Sequence, residues 1–482
     1  MEKRRVLLVT DREALELKGI FFDPDRYKTE IVRSFQAGLD MLANKDFDVV
    51  IADLKGVRSH LDLFREAKEK NFWVKTVSVA NFPLEIFLVE IASEGLSLNA
   101  VSGGDSFDFG ELSLAIEKLF SKDIFGIEKY LAKDAKSFEV ELQHSNRKQE
   151  CMDKAALFAA GFTQDRRILS AVQNTVDELF MNAFFDAPCN EKGEYTYLQE
   201  DRTKSVTLPH DEAVVLRCAC DGKNLAISMT DRFGSLERSR FFGYLVRCIT
   251  SSDTQVEIKP GGSGVGVYNV LQNSSSFVVN LHPLKRTEVI SILDIGSSMR
   301  EFQKKAKSFH IFTVEEKIEI GESLSVERQD TQDALFINFY GIIDENSIFG
   351  RVFETDKNRI VVNLRGVKRI NSCGVREWVN ALRSIPQEKR LEFVECSLAM
   401  IKQFNMISNF GSHGRIRSFM APYFCSRCNR QFDKVVVLKE HLDKLLDLKA
   451  PDFTCSVCQD VLKFDDLEDK YFQFIVRQES TL

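Results

Sequence analysis

Proline is scarce in this chain, nine residues of 482, and it contains neither a low-complexity tract nor a long run of like charge. Disordered tails and linker-dominated architectures are made of such compositions, so a folded chain is expected. Apolar runs are short as well. None approaches the roughly 18 residues that cross a bilayer, and no membrane association is expected. The opening MEKRRVLLVTDRE is basic, but its apolar stretch stops at Thr10, Asp11 and Arg12, too early for a secretory core. A cytoplasmic location is expected. Positive charge is lacking too: the formal net charge is −7, which argues against nucleic acid as a partner.

At about 100–200 residues per domain, a chain of 482 residues predicts three or four domains. Its 44% hydrophobic and 28% charged residues suit globular units. Seven of the eleven cysteines (Cys151, Cys189, Cys218, Cys220, Cys248, Cys373 and Cys396) are scattered, which suits a reducing compartment. The other four form two Cys-x-x-Cys pairs near the end of the chain. Cys425, Cys428, Cys455 and Cys458 supply four thiolates at the spacing of a structural Zn²⁺ site, and a zinc ribbon is predicted over 421–482. A redox role for the pairs is the lesser reading. Phe432, Leu438 and His441 fall at zinc-finger spacing, with Leu445 where a second His would stand, so His441 is an alternative ligand. Acidic residues outnumber basic ones there, against a DNA-reading finger.

Short β-branched runs at 5–10, 47–53 and 74–79 alternate with amphipathic stretches and a closing helix near 110–121, predicting a doubly wound parallel α/β unit over 1–122. Helices over 150–187 then precede strands at 213–219, 224–230, 276–281 and 287–293, the pattern of an α+β sandwich over 123–298. A charged segment, 298–309, leads to a third, smaller α/β unit over 310–420. It has strands at 334–339, 359–364 and 391–396.

In the sandwich, PGGSGVGVYNV places four glycines (Gly261, Gly262, Gly264 and Gly266) before a helix, the arrangement that cradles phosphates. Alone it is weak. Upstream, VDELFMNAFFDA puts Glu178 and Asn182 at i and i+4 on one helix face, and SMTDRFGSL ends a strand on Asp231 before Gly234. These three motifs, in this order, resemble the GHKL nucleotide-binding fold of gyrase, the Hsp90 chaperone, histidine kinases and MutL. The resemblance implies ATP and Mg²⁺. Asn182 would hold the Mg²⁺, Glu178 would act as base, Asp231 would receive the adenine amino group, Gly234 would clear room for the base, and Gly262, Gly264 and Gly266 would hinge a lid. The bland alternative for Glu178 is a surface ion pair. His144, 38 residues before Asn182, lacks a following acid and room for a dimerising hairpin, so the layout looks more like the anti-sigma-factor serine kinases.

IVVNLRGVKRINSCGVREWVNAL, in the third unit, resembles the phosphorylatable loop of the anti-sigma-factor antagonists, the STAS domain. Ser372 falls at the modified position, with Asn371 where that family often has Asp. A plain helix cap is the competing reading of Ser372. The first unit resembles a response-regulator receiver. Asp53 stands where the phosphoacceptor belongs, Asp11 is the metal-binding acid and Ser78 the switch hydroxyl. Thr10 replaces a second acid and NAVSGGDSFD has no Lys, so a degenerate receiver serving protein contacts is the equal alternative.

Together these resemblances imply a signalling protein that transfers the ATP γ-phosphoryl to a serine of a STAS domain, its own Ser372 or a partner's. Its partners would be other signalling proteins of the anti-sigma, antagonist or sensor-kinase type, with a homodimer possible. Two alternatives remain open: a non-catalytic nucleotide-binding scaffold, and a GHKL ATPase without protein-kinase activity.

Overall fold

A computed structural model describes residues 3–11, 22–71, 74–103, 109–190, 195–236, 238–250, 265–283, 285–298, 301–302, 305, 307–314, 317–330, 334–350, 352–455 and 458–479. The protein is a mixed α/β chain divided into two compact units, Met1–Val314 and Glu315–Leu482.

The first unit is organised by one 11-stranded sheet, in the order β2-β1-β3-β4-β5-β11-β9-β10-β8-β7-β6. Its first part runs β1 (Arg4–Thr10), β2 (Tyr27–Val32), α1 (Phe35–Asn44), β3 (Val49–Asp53), α2 (Val57–Lys70), β4 (Lys75–Ala80), α3 (Leu84–Ile86), β5 (Asn99–Ser102) and α4 (Phe109–Leu119). These five strands are mutually parallel. All five residues of β3, VVIAD, are buried, as a central parallel strand covered on both faces requires. Leu42 of α1 and Phe64 of α2 cover one face, and Leu112 and Ile116 of α4 the other.

The second part continues with β6 (Lys136–Leu142), α5 (Lys148–Ala160), α6 (Arg166–Met181), β7 (Val214–Cys220), β8 (Asn224–Asp231), α7 (Arg238–Thr250), α8 (Val265–Asn273), β9 (Ser276–His282), β10 (Arg286–Asp294) and β11 (Ser308–Thr313). Strands β6, β7, β8, β10 and β9 pair antiparallel. Leu225, Ile227 and Met229 of β8 face α5 and α6, while Ala226 faces the opposite core, the period-2 alternation of a strand with two packed sides. The charged 298–309 segment leads into β11, which pairs parallel with β9 and antiparallel with β5. This one buried strand makes a single sheet of the two parts, which the sequence reading had kept separate.

The second unit has a six-stranded sheet, β12-β13-β14-β15-β16-β17, and a three-stranded one, β19-β18-β20. Its elements are β12 (Lys317–Glu319), β13 (Leu324–Asp330), β14 (Leu335–Ile343), β15 (Arg359–Ile370), α9 (Ser372–Arg383), β16 (Arg390–Val394), α10 (Leu398–Met406), β17 (Arg415–Ile416), β18 (Ser418–Cys425), β19 (Arg430–Val437), α11 (Leu438–Leu446), β20 (Lys463–Phe464), α12 (Glu468–Tyr471) and α13 (Gln473–Glu479). One hydrophobic core joins both sheets: Met400 and Ile401 of α10 belong with Phe419 of β18, Phe472 and Ile475. The cysteine-bearing region therefore shares its core with the preceding α/β layer. No helix among the described residues is long and apolar enough to cross a membrane.

Candidate functional site

Helix α6 starts on an Asp165 cap, whose side chain accepts from the Arg167 N–H, and presents Val172, Val176 and Leu179 to the core. Glu178 and Asn182, one turn apart, look out along the other edge. At Asn182 the helix widens into a π-type turn, Asn182–Asp186, a distortion that recurs at functional sites. The turn brings Asp186 into the same cavity as Glu178 and Asn182.

That cavity has a volume of about 340 Å³. Glu178, Asn182, Asp231 and Gly266, expected at one site from motifs spread over some 90 residues, all line it. Its walls are otherwise largely apolar, with Met229, Phe241, Leu245, Phe277 and Val289 among them. An apolar cleft with a few convergent polar groups has the composition of a small-molecule site.

Asp231 closes β8 with its carboxylate buried. Oδ1 accepts the N–H groups of Phe233 (2.9 Å) and Gly234 (3.2 Å), a turn that needs the left-handed φ of 59° at Gly234. Burial pushes the Asp231 carboxyl up to about 6, against the pull of those N–H groups. Thr287, its neighbour across the β8–β10 ladder, is 3% exposed and lies beside that carboxylate, drawing its pKa down against burial. A buried carboxyl in the wall of a largely apolar cavity is a site prepared for a polar ligand.

Gly266 opens α8 directly over Glu178. A Cβ built there would lie 1.8 Å from Glu178 Oε2, so only glycine lets the helix start approach the carboxylate. Desolvation raises the Glu178 pKa, with Asn182 opposing it, which favours a proton acceptor over a permanently charged surface group. Gly262 and Gly264 lie outside the described residues.

Several lining residues carried no motif. The loop before β7 contributes Tyr195 and Arg202; Arg202 donates to Asp186 Oδ1 at 2.8 Å, and the Tyr195 hydroxyl donates to the Ser235 carbonyl at 2.8 Å. From α7, Arg240 stacks over the Tyr195 ring, 5.0 Å from its centroid. Asp186 had a signal, since it repeats the four-residue step from Glu178 to Asn182. Thr287, Arg202 and Arg240 had none.

Asp53 is 1% exposed and held on both oxygens: Thr10 Oγ1 donates to Oδ2 at 2.7 Å and Asn81 Nδ2 to Oδ1 at 3.3 Å. Asp11 Oδ2 accepts from the Lys55 N–H at 3.1 Å. Ser78 Oγ lies 2.8 Å from Nδ1 of His60, a buried imidazole whose pKa burial lowers to about 4, which keeps it neutral. Ser372 is the exposed first residue of α9, and it is not the cap. Asn371 is: its Oδ1 accepts the Gly374 N–H at 2.8 Å.

In the second unit the four cysteine sulfurs lie within 4.8 Å of one another, while His441 packs its ring against Phe453 and stands outside the cluster. Each Cys-x-x-Cys knuckle turns through a left-handed residue directly after its second cysteine, Asn429 (φ 52°) and Gln459 (φ 63°). Their crowding, Cys458 on Cys428 first, pushes the Cys428 thiol up to about 12, which a divalent cation would reverse. The four-sulfur set fits Zn²⁺.

No protein-family model matches this chain, and no curated protein matches it.

Proposed function

We propose that this protein is an ATP-binding signalling protein of the serine-kinase-like GHKL type, joined to a receiver-like module, a STAS-like module and a zinc-bound ribbon. The observation that carries the reading is the convergence of Glu178, Asn182, Asp231 and Gly266 on one cavity. The parallel strand order 2-1-3-4-5, shared by doubly wound folds, supports the receiver-like assignment. Buried and held on both oxygens, Asp53 is poorly placed to take a phosphoryl group, which favours a receiver-like module that serves protein contacts through its surface.

The residues present suit an adenine nucleotide. The buried Asp231 carboxylate offers an acceptor for an exocyclic amine, and the apolar walls suit a flat base. Asn182 offers a neutral oxygen ligand for Mg²⁺, which would neutralise phosphate charge. Glu178, its basicity raised by burial, takes the proton from the attacking serine hydroxyl. The serine oxygen forms its bond to the γ-phosphorus as the bond to the bridging oxygen breaks, and ADP leaves. The start of α8 above Glu178 places helix N–H groups where phosphate charge is favoured. The acceptor is Ser372 of this chain or the matching serine of a partner STAS domain; at the head of α9, freed from capping, Ser372 accepts an added phosphate without losing the cap.

Intact-mass measurement and peptide mapping of the full chain after incubation with Mg-ATP test this, alongside Glu178→Ala and Ser372→Ala. One added phosphate on Ser372, absent in both variants, is the expected result. Phosphate release without protein modification points to a simple ATPase, bound but unchanged ATP to a scaffold. Failure to bind ATP would overturn the reading.

A further inference from the structure

On the face of the sheet turned away from the nucleotide-type cavity lies a second, smaller hollow of about 160 Å³. It is lined by Arg217, Ser228, Thr230, Arg232, Arg286 and Glu288, with Glu139 and Val215 at its edge. Strand registry explains the grouping: Glu139 opposes Arg217, Arg217 opposes Ser228, and Thr230 opposes Glu288, so four adjacent strands direct these side chains to one side. Ser228 is 1% exposed and its Oγ has no hydrogen-bond partner.

Arg217 is matched by two acids, Glu139 and, 3.6 Å from its Nη1, Glu128. Glu139 is taken up by Arg217, which donates to it from Nε at 2.8 Å. Glu288 accepts the Gly126 N–H at 2.8 Å and the Asn280 amide at 2.9 Å, and its charge also supports Arg286. Arg286 stacks on the Phe125 ring at 4.2 Å; burial lowers its pKa first, Glu288 opposes that, and the neighbouring guanidiniums of Arg232 and Arg217 add to the lowering. With Arg217 already matched, Arg232 and Arg286 beside an orphaned hydroxyl form the anion-receiving part, because guanidinium forks and hydroxyls match tetrahedral oxyanions.

We propose that this hollow is a second ligand site, taking the phosphate group of a small anion on Arg232, Arg286 and the hydroxyls of Ser228 and Thr230. A volume less than half that of the other cavity suits a phosphate or small phosphomonoester rather than a nucleotide. The two sites share strands β8 and β10: Thr230 and Glu288 face this hollow, Asp231 and Thr287 the other. Arg232 directly follows Asp231, so occupancy here acts on the loop that closes the nucleotide-type cavity. The effect is an affinity change at one site on filling the other, equal in both directions.

Thermal unfolding of the full chain, titrated with inorganic phosphate or glycerol phosphate against chloride at equal ionic strength, tests the site. Phosphate-specific stabilisation is expected, with apparent affinity weakened about tenfold or more in Arg232→Gln and Arg286→Gln. Ser228→Val fills the floor without removing a satisfied hydrogen bond, so it folds and loses the phosphate response. A stronger response to the ester than to free phosphate identifies a phosphomonoester ligand, and the reverse identifies phosphate itself. No phosphate-specific stabilisation, or the same response in wild type, Ser228→Val and Arg286→Gln, overturns the proposal.

Discussion

Replacing Asp231 by Asn should move stability and nucleotide binding in opposite directions. In the folded protein the Asp231 carboxyl is raised from an ordinary 3.8 to about 6, chiefly by burial. A group whose folded pKa lies above its unfolded one is a burden when ionised: the folded state holds its proton more tightly, so its cost is full above pH 6 and disappears as pH falls through 6 towards 3.8. At about 1.4 kcal/mol per pH unit of difference, that burden is about 3 kcal/mol at neutral pH. Asn retains an oxygen for the Phe233 and Gly234 N–H groups, gives up only the acceptance from Thr287 and carries no charge, so Asp231→Asn should be more stable than wild type at pH 7 by up to about 3 kcal/mol. The gap should shrink to nothing near pH 4. Its amide nitrogen, however, then faces the cavity and meets the exocyclic amine of an adenine donor to donor, so ATP affinity should fall by about 100-fold. Denaturant unfolding of both proteins across pH 4–8, with calorimetric ATP titration, measures both effects. A variant less stable than wild type at pH 7, or one binding ATP unchanged, would refute the reasoning.

Gly266→Ala puts a methyl group where Glu178 Oε2 stands, and because a flexible side-chain end must yield, stability should fall by only about 1 kcal/mol while phosphoryl transfer falls at least tenfold. In a Glu178→Ala background the stability cost should vanish; a denaturation double-mutant cycle without coupling would contradict the contact. Asn371→Ala should cost about 1 kcal/mol through loss of the Gly374 cap, whereas Ser372→Ala should stay within about 0.5 kcal/mol, and thermal melts reversing that order would return the capping role to Ser372. Elemental analysis of protein grown with zinc should find one zinc per chain, and its removal by chelator should cost on the order of 10 kcal/mol. Because the cysteine region shares a core with α10, hydrogen exchange should then rise over Leu398–Met406 as well as near the cysteines. Unchanged exchange in α10 would mean that the two layers fold independently.

The Glu178–Asn182 pair and the two Cys-x-x-Cys knuckles were legible in the sequence because helix pitch and turn geometry convert spacing directly into proximity. The runs that became β1, β3, β4, β8 and β10 were legible for the same reason, since strand periodicity is local. Thr287, Arg202 and Arg240 were not, because nothing near them in sequence marks residues whose partners Asp231, Asp186 and Tyr195 lie 56, 16 and 45 positions away. Asp53 could be placed at the end of its strand, but its burial under Thr10 and Asn81 depends on β1 and the β4 end packing beside it. The capping of α9 by Asn371 rather than Ser372 hung on a one-residue difference in where helical dihedrals begin. By itself, then, the sequence determined which residues share a turn, a helix face or a strand, and which composition each segment can bury. Tertiary structure alone decided that β11 joins two sheets into one, that the cysteine region and its neighbour share a core, and that distant motifs close on a single cavity. Those outcomes follow from long-range burial and strand pairing, whose energies depend on the whole chain's packing and leave no local spacing to read.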